Sequence, residues 1–211
     1  FVVLTGGSGC GKTTVCRLVN GLIPHYYEGE LEGEVLLDGI SVKDATIQKI
    51  SAKVGSVFQN PRSQFFNVDT TSELAFAAEN QGREPKIIRE DISKTALKMK
   101  FEKLLDRNMF ALSGGEKQMI ACGTVAVADP DIVVLDEPSS NLDFDATKQL
   151  KEILAVWKQE GKTVLIAEHR LYFLRELADR MIVFQDGVIQ KEFDGEEIRQ
   201  LGEKDCLRWG L

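Results

Sequence analysis

A glycine-rich segment near the start of the chain, residues 6–13, constrains this sequence more than any other feature. It reads GGSGCGKT and fits the pattern G-x-x-x-x-G-K-[ST] at every fixed position. An apolar run precedes it and apolar residues at helical spacing follow it, so the context is strand, loop and helix. Glycines leave no side chain between the main-chain amides and a bound anion, and the helix N-terminus adds positive potential. The segment therefore predicts a phosphate-binding loop.

The residue types in this loop predict a role for each functional side chain. We expect Lys12 to reach the β- and γ-phosphates of a nucleotide and the Thr13 hydroxyl to help hold Mg²⁺. The other nucleotide-binding residues are expected in the loop and the first helical turn: Gly6, Ser8, Gly9, Cys10, Gly11 and Thr14. The alternative is a glycine-rich turn with a chance lysine, which the strand–helix context disfavours.

Composition narrows the class of protein. The net charge of -7 argues against a nucleic-acid surface as the main function, because such domains usually carry a basic stripe. The longest apolar run, residues 119–128, is too short to cross a membrane. The cysteines have no metal-ligand spacing and are expected to be free thiols in a reducing compartment: Cys10, Cys16, Cys122 and Cys206. With only two histidines, a zinc site is not expected.

The order of elements predicts an α/β fold. Apolar runs at residues 54–58, 132–135 and 163–167 are typical of buried parallel strands. We expect an early hairpin, from a strand over residues 31–37 into Asp38-Gly39, and a closing hairpin across Asp186-Gly187. A helix is expected from about residue 171 to Ala178, and a helical, ragged tail over residues 196–211.

The segment 71–112 differs from the rest because its apolar residues follow helical spacing and no strand pattern interrupts them. We interpret it as an inserted helical subdomain. The whole chain, residues 1–211, is then one domain, with residues 1–70 and 113–211 forming a core that includes a partial antiparallel β subdomain.

Polar residues follow several predicted strands. Asp136 and Glu137 end a buried run, at the sheet edge where open α/β sheets place ligand groups. Asp136 is placed to share Mg²⁺ with Thr13, and Glu137 to polarise a water that attacks the γ-phosphate. The alternative is an Asp-Glu-Pro turn that caps the next element. Taken alone, Gln59 and His169 carry little weight.

The joint order of these segments resembles the nucleotide-binding domain of ATP-binding cassette (ABC) proteins over essentially the whole chain. Six motifs match in family order: the Walker A loop at residues 6–13, the Q-loop at Gln59, the signature motif at residues 112–118, Walker B at residues 132–137, the D-loop at residues 139–143 and the switch histidine at His169.

The resemblance implies a P-loop NTPase fold, with a mixed, mainly parallel central sheet flanked by helices and an inserted helical subdomain. It implies ATP and Mg²⁺ as cofactors, and a second ABC domain paired head to tail, as a homodimer or a heterodimer. The roles that it implies are catalysis by Glu137, His169 and Gln59, metal binding by Thr13, Gln59 and Asp136, and capping of the partner's ATP by Ser113, Gly114, Gly115 and Asp143.

Residues 20–25, 57–61 and 73–76 resemble the ATPases of energy-coupling-factor importers, which take up vitamins or cobalt and nickel ions. That resemblance implies a peripheral location on the cytoplasmic face of the membrane and a membrane subunit docked near Gln59 and the helical subdomain. Phe65, Phe66 and Phe76 would then form a docking groove or ordinary core. The alternative is a soluble ABC ATPase that acts on ribosomes, which residues 168–174 resemble.

The chain departs from the family pattern at its start. Family members usually have an upstream strand and an aromatic residue that stacks on adenine, whereas this chain begins at the strand that enters the phosphate-binding loop. We therefore expect weak nucleotide affinity and a destabilised antiparallel subdomain for these 211 residues. Two alternatives stay open: the sequence is truncated, or the adenine contact comes from elsewhere. The tail over residues 202–211 is compatible with a longer polypeptide, including fusion to a second cassette.

Overall fold

A six-stranded sheet forms the centre of the computed structural model, which describes residues 1–202, Asp205 and Trp209. The strands of the described part are β1 Val2–Gly6, β2 Leu36–Leu37, β3 Ile40–Ser41, β4 Val54–Val57, β5 Ile132–Asp136, β6 Thr163–Ala167, β7 Arg180–Gln185 and β8 Val188–Asp194. The sheet order is β4-β5-β6-β1-β7-β8. In this sheet, β4, β5, β6, β1 and β7 run parallel to one another, and β8 pairs antiparallel with β7. The predicted mixed, mainly parallel sheet is therefore confirmed.

Helices flank this sheet. They are α1 Lys12–Val19, α2 Leu22–His25, α3 Ile47–Lys53, α4 Thr70–Asn80, α5 Pro85–Lys98, α6 Gly114–Ala128, α7 Phe144–Gln159 and α8 Gly195–Gln200. Because side chains alternate across a strand, β5 feeds two hydrophobic clusters. Val133 and Leu135 pack into a large cluster with α6 and α7, whereas Val134 packs into a smaller one with α1. Two covered faces explain why the run reads as continuously apolar.

The segment from Thr70 to Ala111 contains α4, α5 and two short 3₁₀ helices, Glu102–Leu104 and Met109–Ala111. These elements agree with the helical pattern of the sequence. They pack closely on α6 at Gly123, where a Cβ atom would lie 2.8 Å from both Leu74 Cδ2 and Phe101 Cζ. The division into a core and a helical subdomain stays a prediction.

Two predicted elements differ in the structure. The segment expected to be a helix up to Ala178 is a series of turns, because its main-chain hydrogen bonds from Leu174 N–H to Leu171 and from Leu177 N–H to Leu174 span three residues and do not continue as a helix. The strand expected over residues 31–37 is reduced to Leu36–Leu37, since Glu32, Gly33 and Glu34 before it are exposed and bury no side chain against the sheet. The hairpin itself is present, as β2 and β3.

The predicted tail is helical at Gly195–Gln200, and most of the rest of it, with Cys206, lies outside the described residues. Within the described part of the chain, none of the helices combines the length and the apolar character needed to span a bilayer.

Candidate functional site

The phosphate-binding loop joins β1 to α1, and its backbone requires glycine at two positions. Gly6 has φ +136° and a Cβ atom there would lie 2.1 Å from the Phe184 carbonyl oxygen, while Gly11, with φ +106°, precedes the helix. Lys12 is 3% exposed and its Nζ donates to the carbonyl oxygens of Gly6 at 3.0 Å and Gly7 at 3.1 Å. The loop thus folds back over a buried ammonium group.

The turn of the hairpin between β7 and β8 is hydrogen-bonded to the phosphate-binding loop. The main-chain N–H of Gly187 donates to the carbonyl oxygen of Cys10 at 3.2 Å. The sequence shows Asp186-Gly187 only as a turn, since nothing in the pattern indicates which segment the turn contacts. Cys10 and Ser8 therefore belong to a loop that a distant part of the chain holds in shape.

Thr13 and Asp136 meet at the foot of the loop. The Thr13 Oγ1 donates to Asp136 Oδ1 at 3.0 Å. Burial raises the pKa of Asp136, an effect that the Thr13 hydrogen bond opposes and the nearby Glu137 charge reinforces. A hydroxyl beside one carboxylate fits Mg²⁺, which takes one or two carboxylates together with phosphate oxygens. Among the described residues, no cluster of three or more His, Cys, Asp or Glu offers an all-protein metal cage.

Two of the three side chains predicted to be catalytic, Gln59 and His169, contact the third, the carboxylate of Glu137. Glu137 Oε2 accepts a hydrogen bond from Gln59 Nε2 at 2.8 Å, and its Oε1 lies 2.9 Å from His169 Nε2 and 4.0 Å from Lys12 Nζ. These residues follow β4, β5 and β6, which are consecutive in the sheet. Because the carboxyl ends of adjacent parallel strands share one edge, the fold brings distant residues together.

Glu168 is a further residue of the site that reasoning from the sequence did not single out. It is 2% exposed and accepts from the main-chain N–H groups of Ser139 at 3.2 Å, His169 at 2.8 Å and Arg170 at 3.1 Å. It therefore ties the turn after Glu137 to the turn that carries His169. The available signal was its position directly after a buried strand, which is also the position of Glu137.

The signature residues lie at the N-terminus of α6. Ser113 is the N-cap, with its Oγ accepting from Glu116 N at 3.3 Å and its own N–H donating to Glu116 Oε2 at 2.7 Å. That main-chain hydrogen bond lowers the pKa of Glu116. A Cβ atom on Gly115 would lie 2.8 Å from Ala146 Cβ, so the two helices approach closely here.

Asp143 caps α7 beside this motif, accepting from Ala146 N at 2.8 Å. The structure therefore gathers Ser113, Gly114, Gly115 and Asp143 at two neighbouring helix N-termini. In residues 1–202, no hydrogen bond joins any of them to the phosphate-binding loop. The predicted nucleotide-binding residues thus fall into two separate groups within one chain.

Ser113→Ala is expected to lower the free energy of unfolding by about 1 kcal/mol, because the N-cap acceptor of α6 is lost. Urea denaturation followed by circular dichroism measures the change. Ser113→Asn is the matched control, since an asparagine oxygen still caps the helix and stability should stay near that of the wild type. Equal stability of Ser113→Ala and the wild type would contradict the capping role.

Two of the buried cysteines, Cys16 and Cys122, have thiols of low reactivity. Burial raises the pKa of Cys16 to about 12, with the charge of Asp136 adding to the effect, and burial alone raises the pKa of Cys122 to about 12. Both groups therefore stay protonated near neutral pH, as expected of core cysteines.

Comparison with known proteins connects this geometry to a family. A family model described as ABC transporter matches residues 1–140. A Treponema denticola protein with a provisional description as an ABC transporter ATP-binding protein is 49% identical over 193 residues, which cover 92% of this chain and 40% of the relative. The chain thus spans about two fifths of that relative's length.

Two solved structures share the fold. CbiO1 of Clostridium perfringens, described as part of the ABC transporter complex cbiONQ, superposes with a TM-score of 0.83 at 27% identity, covering 98% of this chain and 81% of that protein. The dimeric ATP-binding cassette MJ0796 bound to ADP and Pi superposes with a TM-score of 0.79 at 23% identity, covering 92% of this chain and 84% of that one. The family match shows that the chain belongs to the ABC transporter family, whose fold these two structures share.

Proposed function

We propose that this chain binds ATP on the loop 6–13 and hydrolyses it with Glu137 as general base. The observation that carries this proposal is the carboxylate of Glu137, which both Gln59 and His169 contact beside the buried Lys12. A general base needs a fixed orientation toward the water that it deprotonates, and two contacts, one to each oxygen, supply it.

Each remaining residue has a role that follows from its contacts. The loop amides and Lys12 bind the phosphates, and His169 holds the catalytic carboxylate in place. Mg²⁺, bound by Thr13, Gln59 and Asp136, would neutralise phosphate charge. Gln59 suits both the positioning of Glu137 and metal binding. Its Nε2 donates a hydrogen bond to Glu137, and a metal ion would be bound by its Oε1.

The separation of the site into two groups supports pairing with a second ABC domain. Ser113, Gly114, Gly115 and Asp143 present helix N-termini, which favour anions but make no hydrogen bond to this chain's own loop within the described residues. In the proposed head-to-tail pair, they cap the ATP that the second domain holds. The dimeric state of MJ0796 is consistent with such a pair. The partner is another copy or a related domain.

The likeness to CbiO1, described as part of a transporter complex, leads us to propose an importer. In this proposal, the chain powers energy-coupling-factor-type uptake of a vitamin or a transition-metal ion from the cytoplasmic face of the membrane. The substrate is selected by the membrane subunit rather than by the ATPase.

Phe65, Phe66 and Phe76 differ in their surroundings in the structure. Phe65 packs against the core, whereas Phe66 is 75% exposed and stacks on Phe76 with ring centroids 4.9 Å apart. Glu73, 2% exposed, fixes the Phe66 loop by accepting from the N–H groups of Phe66 at 3.0 Å and Asn67 at 2.8 Å. We propose that this rigid aromatic pair contacts the membrane subunit.

Native fractionation of the full-length, tagged protein tests this proposal. We expect an integral membrane protein to copurify, and Phe66→Glu to weaken its recovery by at least about tenfold, since a charge placed in an aromatic contact is left unpaired. Ile189→Glu is the control, because Ile189 is also exposed, at 56%, but lies on the outer strand β8. Recovery with ribosomes and not with membranes would contradict the transport role and leave the ATP chemistry standing.

A further inference from the structure

Glu168 is a buried carboxylate for which the proposed mechanism has no role. The side chain is 2% exposed, and its carboxylate accepts hydrogen bonds from main-chain N–H groups. Oε1 accepts from His169 at 2.8 Å and from Arg170 at 3.1 Å, whereas Oε2 accepts from Ser139 at 3.2 Å. Burying a charged group costs free energy unless hydrogen bonds replace its hydration. Here the amides of two segments of the chain replace it.

The two oxygens of Glu168 contact different segments. Oε1 caps the turn that follows β6, because it accepts from the next two amides in the chain. Oε2 reaches Ser139, which lies 29 positions earlier, in the turn that follows β5. Capping one turn requires one acceptor oxygen. The second oxygen therefore makes an additional link, between the carboxyl ends of two strands that are adjacent in the sheet.

This link closes a ring of contacts around the proposed general base. Ser139 follows Glu137 by two positions, and His169 directly follows Glu168. The His169 ring then returns to the start of the ring, since its Nε2 lies 2.9 Å from Glu137 Oε1. The orientation of His169 toward Glu137 is therefore fixed twice, by the direct contact and by the main chain that Glu168 holds.

The backbone at Glu137 has a conformation that other contacts must hold in place. Its φ is +45°, in the left-handed region, which is unfavourable for a residue with a Cβ atom and persists where the surrounding structure enforces it. The Glu137 N–H donates to the Ala167 carbonyl oxygen at 2.9 Å, and the Ser139 N–H donates to Glu168. These two hydrogen bonds hold the strained turn against the end of β6.

We propose that Glu168 is a positioning residue for ATP hydrolysis, because its carboxylate joins the turn that carries Glu137 to the turn that carries His169. The inference rests on the proposed function, in which Glu137 is the general base. Within the described residues, the hydrogen bonds of the Glu168 carboxylate go to these two turns and not to the loop 6–13. Glu168 therefore affects the rate of hydrolysis and not the binding of ATP.

Glu168→Asp and Glu168→Gln test the link in complementary ways. Aspartate keeps the charge and can cap the next amides, but it is one methylene shorter and does not reach Ser139. Glutamine keeps the length but has one acceptor oxygen, and its NH₂ group faces an N–H donor. We expect both variants to lower kcat by about tenfold to a hundredfold and to leave KM for ATP within about twofold of the wild type. Phosphate release at a series of ATP concentrations measures both constants.

Two controls accompany these variants. Glu90→Gln makes the same chemical change at an exposed position of α5, so its kcat and KM should match the wild type. Circular dichroism at the assay temperature checks that each variant is folded. Glu168→Asp places no second donor beside Ser139, so it tests the link even if Glu168→Gln unfolds.

A second measurement separates positioning from a general loss of stability. His169→Ala removes the contact that Glu168 is proposed to fix, so adding Glu168→Asp to it should change kcat by less than about twofold. Single-turnover phosphate release measures these slow variants. The inference would be overturned if Glu168→Asp lowered kcat by the same factor with and without His169, or if Glu168→Asp alone had the kcat of the wild type.

The Glu137→Gln variant tests the proposed function independently. If Glu137→Gln is inactive and Glu168→Asp is fully active, the positioning role fails and the general base stands. If Glu137→Gln hydrolyses ATP at the rate of the wild type, the general base fails and the positioning role fails with it.

Discussion

Replacing Glu137 with glutamine is expected to reduce steady-state ATP hydrolysis by about a hundredfold to ten-thousandfold, because the general base is removed. ATP binding should persist, since the carboxylate contacts Gln59 and His169 and lies 4.0 Å from Lys12, while the loop itself is unchanged. Phosphate release measures the turnover, and a fluorescent ATP analogue measures the affinity. A nucleotide-bound dimer that no longer turns over should therefore accumulate.

Glu90→Gln is the matched control for this variant. Glu90 is exposed on α5. The substitution Glu90→Gln removes the same charge at a distance from the site, so the turnover of this variant should equal that of the wild type. Undiminished hydrolysis by Glu137→Gln would remove Glu137 as the base. Loss of ATP affinity in the same variant would instead give Glu137 a binding role.

Lys12→Met is expected to weaken ATP binding by about a hundredfold or more. The ammonium group is the one cation among the residues of the loop 6–13, and its charge-assisted contacts to two phosphates are lost. Isothermal titration calorimetry measures the dissociation constant.

The control for Lys12→Met is Lys148→Met, at an exposed position of α7. It changes the net charge equally but lies outside the loop, so its ATP affinity should match the wild type. Normal affinity in Lys12→Met would contradict the assignment of this lysine. If Lys12→Met were unfolded, its circular dichroism spectrum would differ from that of the wild type. The spectrum therefore distinguishes a stability defect from a binding defect.

The sequence pattern was sufficient to predict the features that residues close together in the chain form. The loop 6–13 is contiguous, so its glycines and Lys12 could be predicted from spacing alone. The strand β5 was also predicted with nearly the bounds observed, since a continuous apolar run reports burial directly. The prediction of a helix up to Ala178 was wrong, because apolar spacing is compatible with a helix but the main-chain hydrogen bonds of the segment close separate turns.

Contacts between distant segments could not be predicted from local pattern. Gln59 and His169 carried little weight by themselves, and family resemblance supplied their proposed roles. Their shared contact with Glu137 depends on the sheet order, which sequence periodicity does not encode.

The sequence by itself determined the phosphate-binding loop, the alternation of strands and helices, and the identity of the polar residues at strand ends. Each of these depends on residues close together in the chain. The tertiary structure decided that β4, β5 and β6 lie side by side, so that Glu137 receives contacts from residues 78 and 32 positions away. It also decided that the signature residues lie away from the chain's own loop. The physical reason is that the free energy of long-range packing, rather than local propensity, selects which strand edges and helix ends meet.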